Sequence, residues 1–138
     1  MADERRDPKP RTDAEKITIN LGYVDLGHID LLVEDGFYGN RTDFIRTAIR
    51  NQLDRHHEVV AKAVTRRQLD LGLRHYGRAD LEAVVAAGEV LDIQVLGLAT
   101  IAPDVTPELA RLAIRSLQVL GALHAPAAVK AALADRIR

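Results

Sequence analysis

The segment Lys16-Ile-Thr-Ile-Asn-Leu21 alternates polar and apolar residues. Ile17, Ile19 and Leu21 share one face of an extended chain, and Lys16, Thr18 and Asn20 share the other. A period of two is the mark of a half-buried strand. No nearby segment offers a second strand to pair with it. A lone strand leaves its amides and carbonyls without hydrogen-bond partners, which costs about as much as the lost bonds. The strand's partner is therefore expected from a second chain.

The period then changes to that of a helix. Val24 to Asp35 carries Leu26, Ile29, Leu32 and Val33 at helical spacing. Asp25 in the first turn suits the helix dipole, and Gly36 is a stop signal. After Phe37-Tyr38-Gly39, Asn40 is a good N-cap, and Asp43 three residues on resembles a capping box. Phe44, Ile45, Ala48, Ile49 and Leu53 form one apolar stripe, with Arg46, Arg50 and Arg55 off it. No Gly or Pro occurs from Asn40 to Leu71, so this second helix has room to continue to about Arg66. Its continuity through His56-His57 is left open.

Strand, helix, short Gly-containing turn and helix in this order resemble the ribbon-helix-helix family (the Arc, MetJ and CopG type). The residues carrying the likeness are Lys16-Ile-Thr-Ile-Asn-Leu21 and Gly39-Asn-Arg-Thr-Asp-Phe-Ile-Arg-Thr-Ala-Ile-Arg50. The second stretch is similar to the family's second-helix opening: polar, Arg, Ser or Thr, acidic, Phe, Ile, Arg, then Ala-Ile-Arg. The resemblance implies a homodimer whose two strands pair antiparallel into a ribbon over four interlocked helices. It implies that the ribbon's polar face enters the major groove of double-stranded DNA, which admits a two-stranded ribbon. Lys16, Thr18 and Asn20 would then face base edges: Lys donating to guanine, Asn pairing with adenine, Thr meeting either base or a thymine methyl. Asn40, Arg41 and Thr42, at the start of the second helix, would hold the phosphate backbone. The ordinary alternatives are solvent-facing strand residues for the first set and plain helix capping for Asn40 and Thr42.

Charge pulls against this reading. The net charge is −1. From Lys16 to His57 there are five basic residues (Lys16, Arg41, Arg46, Arg50, Arg55) and six acidic ones (Asp25, Asp30, Glu34, Asp35, Asp43, Asp54). Nonspecific affinity for a polyanion should be weak. Residues 1–14, charged and holding two prolines, read as a flexible arm. Arg5, Arg6, Lys9 and Arg11 on that arm could add phosphate contacts.

The second half repeats in steps of 24. Gln94, Val95, Leu96, Gly97, Val105 and Leu109 recur as Gln118, Val119, Leu120, Gly121, Val129 and Leu133. A weaker first copy aligns Leu69-Asp-Leu71 with Ile93-Gln-Val95, Asp80-Leu81 with Asp104-Val105, and Val85 with Leu109. Each copy reads as a short strand, a turn and a short helix, with helices expected at Arg78 to Ala87, Thr106 to Arg115 and Ala127 to Arg136. Thr106-Pro107-Glu108 is a helix opening: cap, proline, acid. Such units stack with parallel strands, each burying its face on the next. The expected fold class is α+β: arm 1–14, ribbon-helix-helix domain 15–57, helical extension or linker 58–66, and an α/β repeat domain of about three strand–helix units at 67–138. Unblocked outer strands make that last domain a candidate for oligomerisation, to tetramers or higher.

Other chemistry finds little support. There is no cysteine, so no thiolate metal site, disulfide or cysteine nucleophile. Some ribbon-helix-helix regulators sense nickel through His and Cys. Here His28, His56, His57, His75 and His124 do not repeat at a ligand spacing, so no metal and no cofactor is expected. Ser116 is the only serine and lacks a neighbouring His and acid; the glycines match no phosphate-binding fingerprint; an enzyme is not expected. No apolar run reaches about 18 residues, so no membrane partner is expected. The reading is a bacterial, cytoplasmic, nucleoid-associated transcriptional repressor. Two alternatives stand beside it: a structural assembly protein that uses the ribbon only to dimerise, and an antitoxin that represses its own operon.

Overall fold

A computed structural model describes residues 14–138; the arm residues Arg5, Arg6, Lys9 and Arg11 lie outside the described residues. The chain divides into two compact units, Met1–Ala63 and Val64–Arg138.

In the first unit, residues 14–22 have no regular secondary structure within the single chain. Helix α1 spans Tyr23–Glu34 and helix α2 spans Arg41–Arg55. Gly36 ends α1 with φ of +82°, a left-handed conformation that favours glycine. Its amide donates to the Val33 carbonyl at 3.1 Å and the Phe37 amide to the Leu32 carbonyl at 3.0 Å, satisfying the last turn's acceptors. The Tyr38 and Phe44 rings then meet edge to face, 5.0 Å apart, across the start of α2. The second helix does not run unbroken to Arg66. At His56 the backbone leaves the helical region (φ −98°, ψ 11°) and its amide tightens onto the Leu53 carbonyl at 3.1 Å. A separate helix α3 follows at His57–Arg66.

The second unit alternates strand and helix: β1 Asp70–Tyr76, α4 Arg78–Ala86, β2 Leu91–Ile101, α5 Pro107–Ala113, β3 Ile114–His124 and α6 Ala127–Ala132. The strands form one parallel sheet in the order β1-β2-β3. One face of it packs on the helices. Ile93, Val95, Ala99 and Ile101 of β2 meet Leu81, Ala110, Val129 and Leu133 from the helical layer, all buried. This core is aliphatic, as the scarcity of aromatics requires. Thr106 caps α5 by accepting from the Leu109 amide at 3.2 Å, with Pro107 at the first helical position.

Two helices are shorter than their periodicity suggested. Helix α5 gives way to β3 at Ile114 rather than after Arg115, because Ile114 and Leu117 are needed in the core. Helix α6 stops at Ala132, and the chain turns so that Ile137 bridges to Leu117 of β3. The Leu117 amide donates to the Arg136 carbonyl at 3.0 Å, and the Arg138 amide to the Leu117 carbonyl at 2.9 Å. That stretch of the β3 edge is therefore paired.

The register corrects the repeat. Strands β2 and β3 pair with the step of 24 that the sequence carries, Gln94 beside Gln118 and Gly97 beside Gly121. Strand β1 pairs with β2 at a step of 25: Leu71 lies beside Leu96 rather than sharing a row with Val95, and Gly72 lies beside Gly97. A one-residue slip moves a side chain to the other face of the sheet. Leu71 and Leu73 thus leave the core and are 63% and 67% exposed. The cause is a column of glycines. A Cβ on Gly97 would lie 2.2 Å from the Gly72 carbonyl oxygen, and one on Gly121 would lie 2.0 Å from that of Gly97. Both have φ well above zero (+138° and +123°), so only glycine fits.

On the face away from the helices, residues stack in rows across the strands. Leu71, Leu96 and Leu120 form one row; Leu73, Leu98 and Ala122 form the next. His75, Thr100 and His124 lie beyond them, with His75 Nδ1 2.7 Å from the Thr100 hydroxyl. Gln94 and Gln118 lie on the other side.

At the start of β2, Asp92 takes a guanidinium from Arg115 and a hydroxyl from Ser116 at 2.7 Å. Those bonds hold its carboxyl at about 2, below the ordinary range. A folded-state value below the unfolded one stabilises above the unfolded value, and the contribution is lost as pH falls through the folded one. Arg115→Met should raise the Asp92 titration midpoint from about 2 toward the usual ~3.9, read by carbon-detected NMR. In urea denaturation, Gly97→Ala should cost roughly 2–5 kcal/mol, from backbone strain plus overpacking. Gly88→Ala, also at positive φ but with nothing within 4 Å of its Cβ, should cost only roughly 1–2 kcal/mol.

Candidate nucleic-acid interface

The first unit is half of a core. Among its described residues only Ile29 is buried, at 5% exposed, while Ile17, Ile49 and Leu53 remain 80%, 53% and 61% exposed. An apolar groove of about 450 Å³ runs along it. Leu32 and Ile29 of α1 and Phe44, Ile45, Ala48 and Ile49 of α2 line it, joined by Ile19 and Leu21 from the segment ahead of α1. The period-of-two residues and the helical stripe thus meet at one groove. Asp25 and His28 also reach it.

Lys16, Thr18 and Asn20 are exposed and do not line the groove. They sit on the segment whose apolar members do. Asn40, Arg41 and Thr42 lie together at the start of α2, all exposed. The Asn40 side chain accepts from the Asp43 amide at 2.7 Å, and the Asp43 carboxylate accepts from the Gly39 amide at 2.9 Å. This reciprocal cap fixes the first turn. An α-helix leaves its first amides without acceptors inside the helix, and its dipole favours an anion there.

Arg41 has an internal partner that the sequence reading missed. Its guanidinium grips Asp30 of α1 with two hydrogen bonds, at 2.7 and 2.8 Å. The Asp30 carboxyl is held below its ordinary range, chiefly by the Arg41 hydrogen bonds, and the Arg41 pKa is raised in return. The pair is open to solvent, so it aims the Arg41 side chain more than it stabilises the unit. A separation of eleven residues across a turn leaves no local pattern that would reveal it.

Among the described residues, no group of three or more His, Cys, Asp or Glu could hold a metal ion. No described helix is long and apolar enough to cross a membrane. The groove makes one prediction. Ile49→Asp puts an unpaired carboxylate among its apolar residues, a burden of several kcal/mol if a second chain covers it. The variant should sediment as a monomer with reduced helical circular dichroism.

Compared with known protein families, the chain matches the ribbon-helix-helix transcriptional regulator family over residues 12–130. The match takes in most of the strand–helix unit as well as the groove and its flanking segment. No curated protein and no solved structure matches the chain.

Proposed function

The chain belongs to the ribbon-helix-helix transcriptional regulator family, and from that premise we propose that it is a homodimeric, sequence-specific repressor. Regulators of this kind bind DNA and usually dimerise. The observation carrying the reading is the apolar groove on a unit that has a single buried side chain among its described residues. Residues 16–21 of two chains pair antiparallel, which supplies each with the backbone partners it lacks and brings Ile17 and Ile19 onto the shared core. Lys16, Thr18 and Asn20 then project from the ribbon's other face toward base edges in the major groove. The first amides of α2, held by the Asn40 cap, take a backbone phosphate near Arg41 and Thr42. Arg41 reaches that phosphate only by sharing or leaving Asp30. The strand–helix unit joins dimers into larger assemblies, which strengthens binding at adjacent sites.

The assembly-protein reading keeps one specific observation, the excess of acidic over basic residues between Lys16 and His57. The antitoxin reading is weakened by the folded, helix-covered sheet at residues 70–138, where such proteins commonly carry a disordered tail.

The test is a salt titration of binding to DNA from the chain's own promoter region. The wild type should lose affinity linearly in log salt. Lys16→Ala/Thr18→Ala/Asn20→Ala should keep the wild-type assembly state and lose roughly 100-fold or more of its preference for the site, three contacts at about 1–3 kcal/mol each. A wild type that binds no DNA while forming large species would establish the assembly reading instead.

A further inference from the structure

The helices of the second unit cover one face of the sheet; the other face carries the row Leu71, Leu96, Leu120 and the row Leu73, Leu98, Ala122, with Leu98 buried among its neighbours. Leu71, Leu73 and Leu120 are 63%, 67% and 41% exposed there. Contiguous apolar surface of this kind on a soluble protein marks a place where something binds. The rows from Gln94 to Thr100 hold leucine, alanine, glutamine, histidine and threonine; charge lies at their margin, in Asp92 one row beyond Gln94 and in Arg74 beside Leu73 and His75. A charged partner would find counter-ions only at that margin.

We propose that this leucine face is the contact by which two dimers of the chain form a tetramer, each face packing on the same face of another copy. The proposal rests on the dimer reading above. Three features identify the occupant as a second copy. First, the face matches itself. Turned antiparallel about a two-fold axis, leucine rows meet leucine rows, and the glutamine row meets the His75–Thr100–His124 row, where amide can bond hydroxyl and imidazole. Second, the partner is present at stoichiometric level in every solution of the protein. Third, the size fits a multivalent contact. Ordinary strand spacing and rise give three strands by five residues a footprint of about 14 by 17 Å. That is well below the ~800 Å² per partner of a free-standing interface. One such contact between independent chains is weak. A dimer presents two, and closing the second is intramolecular once the first has formed. Two different isologous contacts per chain, one in each unit, generate a closed tetramer.

Sedimentation of the full-length chain tests this, with Leu71→Glu/Leu73→Glu beside the control Leu112→Glu. Leu112 is 62% exposed on α5, in the helical layer. The wild type and the control should have the tetramer mass, and the double variant half of it with unchanged far-UV circular dichroism. A wild type of dimer mass whose double variant is monomeric would uphold the face but sink the ribbon dimer, because one isologous contact joins only two chains. A double variant that keeps the wild-type mass, whether dimer or tetramer at about 100 µM, overturns the proposal. Gln94→Cys/Thr100→Cys leaves the leucines intact in a chain without other cysteines. These positions are roughly 20 Å apart along one strand, so a short bismaleimide should join two chains; recovery of uncross-linked chains alone also overturns it.

Discussion

An amphipathic segment needs a second surface, and in the first unit of this chain that surface is missing. Helices α1 and α2 turn their stripes toward the same groove, and Ile19 and Leu21 line it too. Yet among the described residues one chain buries only Ile29 there. A unit of about 60 residues buries only about 60% of the surface its unfolded chain exposes, and among the described residues of this one a single side chain is buried. Backbone chemistry makes the same demand, since residues 14–22 form no ladder within the chain. Pairing with a copy answers both needs at once. On the dimer reading, folding and dimerisation of this unit are one equilibrium, and its stability depends on protein concentration.

The second unit meets its needs differently. Its backbone groups pair within the chain, through a parallel sheet and through the C-terminal turn against Leu117. Its core is closed on one side by three short helices. What sets the geometry is a contact between backbones: the carbonyl of one glycine occupies the space where the next glycine's Cβ would be. The spacing between rungs can vary by a residue, from 25 to 24, but the glycines stay in register.

That contrast explains what could be read from the sequence. The caps at Asn40 and Thr106, the glycine stop at Gly36 and the two apolar stripes are local, and each stands where its residues suggest. The identical residues of the last two repeats gave their step of 24 directly. The first repeat misled because the similarity of Leu69-Asp-Leu71 to Ile93-Gln-Val95 is compositional, whereas its true register is decided by Gly72 against Gly97. The leucine face gains Leu71 and Leu73 from that single slip. The Asp30–Arg41 pair and the break at His56 depend on tertiary placement and on local tightening, neither of which periodicity reports. Lys16, Thr18 and Asn20 were legible as an exposed polar set.

Asp30 bears on how such a head could discriminate. A guanidinium already held by a carboxylate gains less on meeting a phosphate than a free one, by the small worth of an exposed pair. With six acidic residues against five basic ones between Lys16 and His57, the long-range field of the proposed reading head would do little to hold DNA before bases are read. Nonspecific affinity then falls more than specific affinity, since base-edge contacts are unaffected by that balance. The ratio of the two, rather than either alone, decides occupancy among many competing sites. A near-neutral reading head joined to others through a second unit gains its strength from the number of heads engaged, and gives up strength wherever only one finds its sequence.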